Sequence, residues 1–271
     1  MNLHQRILTY NDCYLRGQTI RPKGVMVHST GANNPNLSRY VGPDDGLLGQ
    51  NPNNNHWNMS GVGACVHAFI GRLADGSIAS YQTLPWNWRG WHCGSGRSGS
   101  ANNTHISFEI CEDGLDDREY FDAVYREAVE LTAHLCELYG LDPLEDGVVI
   151  CHSEGYRRGV ASNHGDVMHW FPKFGKNMDG FRADVSRELK GDEDDMTQEQ
   201  FNQMMTEYER TKNPVPDNTP ADWEAPAVQW ARDNGLLAGD LKGNLMLHSN
   251  MTRAQFFVIL KKYHDHRKEI S

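Results

Sequence analysis

The segment 148–182, VVICHSEGYRRGVASNHGDVMHWFPKFGKNMDGFR, constrains this chain more than any other. Val148, Val149 and Ile150 read as a short buried strand. The strand delivers His152 to a loop that carries His164, Asp166 and His169. Far upstream, Gly24-Val25-Met26-Val27 is a second compact apolar run, again read as a buried strand, and it ends in His28-Ser29-Thr30-Gly31. A histidine at the end of a buried strand sits on a rigid support beside a loop free to vary, which is where α/β folds collect functional groups. Two such histidines and the compact His164-Gly165-Asp166 supply the donors of a hydrolytic zinc site. Such a site takes about three protein ligands and leaves one position open, and the ion makes water acidic enough to attack near neutral pH. His28, His152 and Asp166 are the expected ligands.

The rest of the chain reads as a mixed α/β domain followed by a smaller helical one. Residues 64–71 form a strand, and Ala74-Asp75-Gly76-Ser77 turns it into a second at 78–82, a β-hairpin. His105–Glu112 is a further strand, with Ile106, Phe108 and Ile110 on one face and Ser107, Glu109 and Cys111 on the other. Glu109 stands between apolar residues and needs a partner there, which makes it a candidate catalytic or supporting acid. From Asp116 to Tyr139 an apolar stripe predicts a helix, capped by Asp116 or Asp117 and stopped by Gly140. A closing helix follows near 178–185, and a short strand is expected at 5–9. The Asn- and Gly-rich stretch 31–60 reads as a long loop, either solvated or using His56, Trp57 and its amides to bind sugar or peptide. Trp86, Trp88 and Trp91, beside His92, form either a carbohydrate-facing wall or the packing of an irregular segment.

The charged run at 190–195 marks a boundary between domains at 1–190 and 191–271. Beyond it, MTQEQF at Met196 is echoed by MTRAQF at Met251, each opening an amphipathic helix with Thr197 or Thr252 as its cap. A formal net charge of −10 argues against nucleic acid as a partner. Six cysteines without CxxC spacing read as reduced, buried thiols. The N-terminus lacks the basic and apolar pattern of a secretory signal, and no apolar run reaches the length of a membrane span, so stable membrane insertion is not expected.

These residues carry a family resemblance. VMVHST at 25–30, the hairpin of 64–82, RGWHCG at 89–94, HISFEICE at 105–112 and VICHSEG followed by HGD resemble, across about residues 20–188, the N-acetylmuramoyl-L-alanine amidases of the phage lysozyme and peptidoglycan-recognition-protein superfamily. The resemblance implies a central mixed β-sheet flanked by helices, a Zn2+ cofactor and bacterial peptidoglycan as the substrate. It implies ligands His28, His152 and Asp166, with Glu109 as general base for the attacking water. Asp166 follows His152 by 14 residues, a longer interval than the family pattern, so His164 stands as the alternative third ligand. His164 otherwise occupies the place of a family lysine that stabilises the oxyanion. His67, His92, Trp86, Trp88 and Trp91 would line the cleft. The tail resembles an S-layer-homology module, which implies a small all-α domain binding a secondary cell-wall polymer. Together these imply a phage endolysin, held in the cytoplasm of the infected host until it is released to the wall. Two rivals are a peptidoglycan-binding protein without activity and a zinc peptidase acting on the stem peptide.

Overall fold

The computed structural model describes residues 1–191, 202–206, 208 and 217–269. The chain divides into two compact units, 1–193 and 194–271. In the first, six strands (β1, Leu3–Gln5; β2, Gly24–Asn33; β3, Ala68–Arg72; β4, Ile78–Gln82; β5, His105–Glu112; β6, Val149–Cys151) form one sheet in the order β1-β4-β3-β5-β2-β6. β3 and β4 are the antiparallel hairpin expected from the sequence, and every other pairing is parallel. The N-terminal strand lies earlier than its apolar pattern implied. The residues after it form a short helix, α1 (Asp12–Arg16), whose Asn11 side chain accepts the N–H of Cys13.

The three central parallel strands are buried on both faces, as continuous apolar runs in parallel sheets require. On one face, Val25, Val27, Ile106, Phe108, Ile110, Val149 and Cys151 pack under the long helix α2 (Arg118–Tyr139) and α4 (Met178–Leu189). Asp117 caps α2 by accepting the N–H of Tyr120 at 3.0 Å, and Gly140 ends it in the left-handed region at φ 63°. The Tyr120 hydroxyl donates to the carbonyl of Cys111 at 2.7 Å, which ties the helix to the end of β5. Phe121 is the hub of this layer. It stacks on Phe174 at 4.4 Å and meets Trp170, Phe171 and Tyr125 at 5.3–5.7 Å.

The opposite face carries two smaller cores. Met26 packs with Cys93, Ala101, Ile150 and Ala161. Leu37, Tyr40, Val41 and Leu48 cover Phe69 and Tyr81, with Trp57 edge-on to Phe69. The long loop therefore supplies a covering layer for the sheet. Its His56 is buried against Gly42, where a Cβ would meet the imidazole at 2.3 Å. All six cysteines are free and buried.

The second unit contains helices α5 (Ala225–Asp233) and α6 (Arg253–Glu269). Thr252 caps α6 in a capping box: its hydroxyl accepts from Gln255, and the Gln255 side chain accepts from the Thr252 N–H. The matching helix expected at Thr197 starts outside the described residues. Asn244 is the only buried residue among those described in this unit. Its side chain accepts the N–H of Asp217 at 2.8 Å, while His248 bridges Asp217 and Glu224. Among the described residues of this unit, hydrogen bonds rather than buried apolar side chains make these ties.

Phe121→Ala removes the hub of the main core. It should cost about 3–5 kcal/mol in urea denaturation of the first unit.

Candidate active site

Strand register assembles the site. His28 of β2 pairs with Glu109 of β5, and Val27 pairs with Cys151 of β6, so His152 emerges level with His28. Three adjacent parallel strands therefore set Glu109, His28 and His152 side by side at one level of the sheet, where β6 ends and β2 and β5 run on. His152 opens the short helix α3 (His152–Arg157), which is tied to the sheet and to α4 through Glu154. That carboxylate accepts from the Cys151 N–H at 3.2 Å and pairs with Arg182 at 3.0 Å.

Asp166 arrives by a different route. The residues after it, Val167, Trp170 and Phe171, are wholly buried in the main core. This apolar anchor fixes where the loop returns, and the Asp166 carbonyl accepts from the Ser153 N–H at 3.3 Å. The 14-residue interval is accommodated because α3 and the loop after it carry the chain out of the site and back.

His28 Nδ1, His152 Nδ1 and Asp166 Oδ2 converge with mutual distances of 3.0, 3.1 and 3.5 Å. They are the one group of three or more metal-type donors found among the described residues. Ligands about 2.0–2.1 Å from a tetrahedral zinc ion lie about 3.3 Å from one another, so both the donor chemistry and the spacing fit that ion. The far nitrogens are engaged as well: His28 Nε2 lies 3.0 Å from His92 Nδ1, and His152 Nε2 lies 3.3 Å from Ser162 Oγ. His164 stands outside the triangle. Its ring lies 4.6 Å from that of His152, and its Nδ1 is 3.1 Å from Ser162 Oγ. Asp166, not His164, completes the donor set.

The triangle opens into a cleft of about 690 Å³ lined also by Glu109, Trp91, His92, His164 and the pair His169–Glu112. Burial pushes the Glu109 carboxyl well above its ordinary value, and the charges of Asp166 and Glu112 push it further. One of its oxygens, Oε2, is sealed from solvent with no partner among the described residues. Burial also acts to raise Asp166, but hydrogen bonds from His152 and His28 outweigh it and hold the carboxyl far below the usual range. His28 is lowered by burial against the opposing pull of Asp166. His92 is lowered well below its ordinary value by burial and by the neighbouring histidines.

Three residues expected in the cleft are not there. His67 is fully buried, accepting the Ser107 N–H at Nδ1 (3.0 Å) and donating from Nε2 to the Trp88 carbonyl (2.7 Å). Its role is to pin the start of β3 to β5 and to the tryptophan segment. Trp88 stacks on Tyr14 at 4.8 Å over the small core of Cys13, Cys65 and Leu84, and Trp86 packs against the main core. Of the three tryptophans, only Trp91 lines the cleft. Conversely, Ser162 and Glu112 belong to the site without having been singled out. Ser162 lies two residues before His164 and Glu112 three after Glu109, and that proximity was the available signal.

The fold is a mixed α/β sheet with one set of metal-type donors at a cleft. The chain belongs to the N-acetylmuramoyl-L-alanine amidase family, whose model matches residues 18–168. It is thus an enzyme that hydrolyses an amide of peptidoglycan. Similar solved structures include the Staphylococcus aureus hydrolase AmiA in complex with its ligand, at 19% identity over 70% of this chain and 83% of that one, TM-score 0.49. PlyL is 20% identical over 68% and 97% of the two chains, TM-score 0.48. A mutant endolysin from Bacillus subtilis is 24% identical over 68% and 99%, TM-score 0.43. No curated protein matches the sequence.

Burial drives the pKa of His67 down to about 4, against about 6.5 in the unfolded chain. A depressed imidazole contributes stability above its unfolded value, and that contribution is lost as pH falls from about 6.5 towards 4. His67→Asn should therefore flatten the acid side of the stability–pH curve relative to wild type, by on the order of 3 kcal/mol at the acid end, in urea titrations at each pH.

Proposed function

We propose that the first unit is a zinc-dependent amidase that cleaves the bond between N-acetylmuramic acid and L-alanine. The observation that carries the reading is the His28–His152–Asp166 triangle facing the same cleft as Glu109. A zinc ion held there supplies positive charge that polarises the scissile carbonyl and makes water acidic enough to attack near neutral pH. Glu109 is the general base: it takes the proton of the attacking water and passes one to the leaving amine of L-alanine. Its burial raises its proton affinity, which suits a carboxylate that takes a proton from water and passes it on. His164, exposed at the cleft with Nδ1 against Ser162, presents its other nitrogen to the carbonyl oxygen as that atom gains charge. His28, His152 and Asp166 stay fixed throughout, each held by a partner behind it.

The second unit binds a polymer of the cell wall in this reading. Its support is the resemblance to an S-layer-homology module, the exposed Trp223 and Trp230, and a groove of about 750 Å³ beside the start of α6. The likeness of the Glu109 strand, HISFEICE, to the one that carries a glutamate in the zinc amidases of Gram-positive phages supports a role as an endolysin in host lysis. Cytoplasmic expression should then lyse cells only when a membrane pore is supplied with it.

Elemental analysis should find one zinc per chain in wild type and in His164→Ala, and none in His28→Ala, His152→Ala or Asp166→Ala. Zinc lost with His164 and kept without Asp166 would reverse the two roles. Glu109→Gln should keep zinc and lose about 10²–10⁴-fold in turnover. The new end group must be the L-alanine amine; any other freed amine makes the enzyme a peptidase. A chain ending at residue 191 should still cleave soluble muramoyl peptides while binding whole walls more weakly, as read by sedimentation with purified walls.

A further inference from the structure

His28 faces Asp166 and His152 through Nδ1, at 3.0 and 3.1 Å, and turns Nε2 the other way. Three lone pairs meet at one cation only if neither Nδ1 carries a proton. His28 must then hold its proton on Nε2. That residue is 1% exposed, and a buried N–H requires an acceptor. Nδ1 of His92 lies 3.0 Å away, with the two rings edge to face at 5.1 Å.

We propose that His92 is the positioning residue that holds His28 in its Nε2–H tautomer, so that Nδ1 is bare and aimed at the cation, and that Asn102 sets His92 for this task. The proposal rests on the zinc reading above and deepens it. His92 is fixed through its backbone: Asn102 Oδ1 accepts the N–H of His92 at 2.9 Å and of Cys93 at 3.1 Å. Asn102 is itself 6% exposed, and its own N–H is bonded to Ser100 Oγ. The same short segment serves the other histidine. The Cys93 carbonyl accepts from Ser162 Oγ at 3.1 Å, and Ser162 Oγ in turn faces His152 Nε2 at 3.3 Å.

A carboxylate or a backbone carbonyl is the common acceptor behind a metal-bound imidazole. A carboxylate here would stand close to Asp166 and Glu109, and the like charges would oppose one another. A neutral imidazole orients His28 without adding charge. The arrangement leaves a mark. With Nδ1 accepting, His92 carries its own proton on Nε2, and that atom is buried without a partner among the described residues. An unpaired buried N–H is costly, and it persists because the ring is aimed at His28 by its backbone.

The test reads tautomer and affinity, not turnover. Long-range ¹H–¹⁵N spectra of the zinc-loaded wild type should show His28 protonated at Nε2 and metallated through Nδ1. Zinc affinity by chelator competition should fall about 10–100-fold in His92→Phe. It should stay near wild type in His92→Asn, whose side-chain oxygen falls near the position of Nδ1. Metallation of His28 through Nε2, or wild-type zinc affinity in His92→Phe, overturns the assignment and leaves the zinc reading standing. A wild type that takes up no zinc overturns both. If His92→Phe does not fold, the wild-type spectrum and the His92→Asn affinity decide alone.

Discussion

The register of three parallel strands is the constraint on which the site depends. It sets Glu109 of β5 opposite His28 of β2 and ends β6 at Cys151 beside Val27, so His152 emerges at the level of the other two. The sheet can hold that register because Val25, Val27, Phe108 and Val149 are buried under α2 and α4. A slip of one residue would turn His28 and Glu109 towards α2 and bury a histidine and a carboxylate among aliphatic side chains. The core therefore selects the arrangement that the chemistry needs.

Asp166 depends on the same core by an indirect route. The loop between Arg158 and Gly165 is pinned midway by Ala161, buried against Met26, and by the Ser162 N–H on the Cys93 carbonyl. Val167, Trp170 and Phe171 then fix its return by packing in the core around Phe121. The site is thus assembled from two kinds of support: strand register for Glu109, His28 and His152, and an apolar anchor just after Asp166. Behind them the segment 92–93, fixed by Asn102, closes the set of hydrogen bonds.

Burial sorts the carboxylates of the cleft by their partners. Asp166 faces two imidazoles, which hold its carboxyl far below the usual range, whereas burial and the charges of Asp166 and Glu112 raise the proton affinity of Glu109. Two acidic groups in one cleft are thereby given opposite proton affinities, one suited to holding a cation and one to moving a proton.

Much of this was legible in the sequence. The apolar runs ending in His28 and His152, the alternation that exposes Glu109 on its own face, the hairpin and the capped helix to Tyr139 follow local rules, because each depends on neighbours within a few residues. The sequence favoured Asp166 and kept His164 as the alternative, since both lie in one loop; the structure brings the Asp166 carboxylate, followed by the buried Val167 and Trp170, beside the two histidines. Not legible were the fates of His67, Trp86 and Trp88, whose ring types suit a cleft and a core equally. Their burial follows from contacts with Ser107, Tyr14 and Leu84 that lie distant in the chain. The sequence by itself determined which strands form and which donors stand at their ends, because period and propensity act locally. Only the tertiary structure decided which donors meet, because that depends on register, on the return of the loop and on which large side chains fill the space between layers.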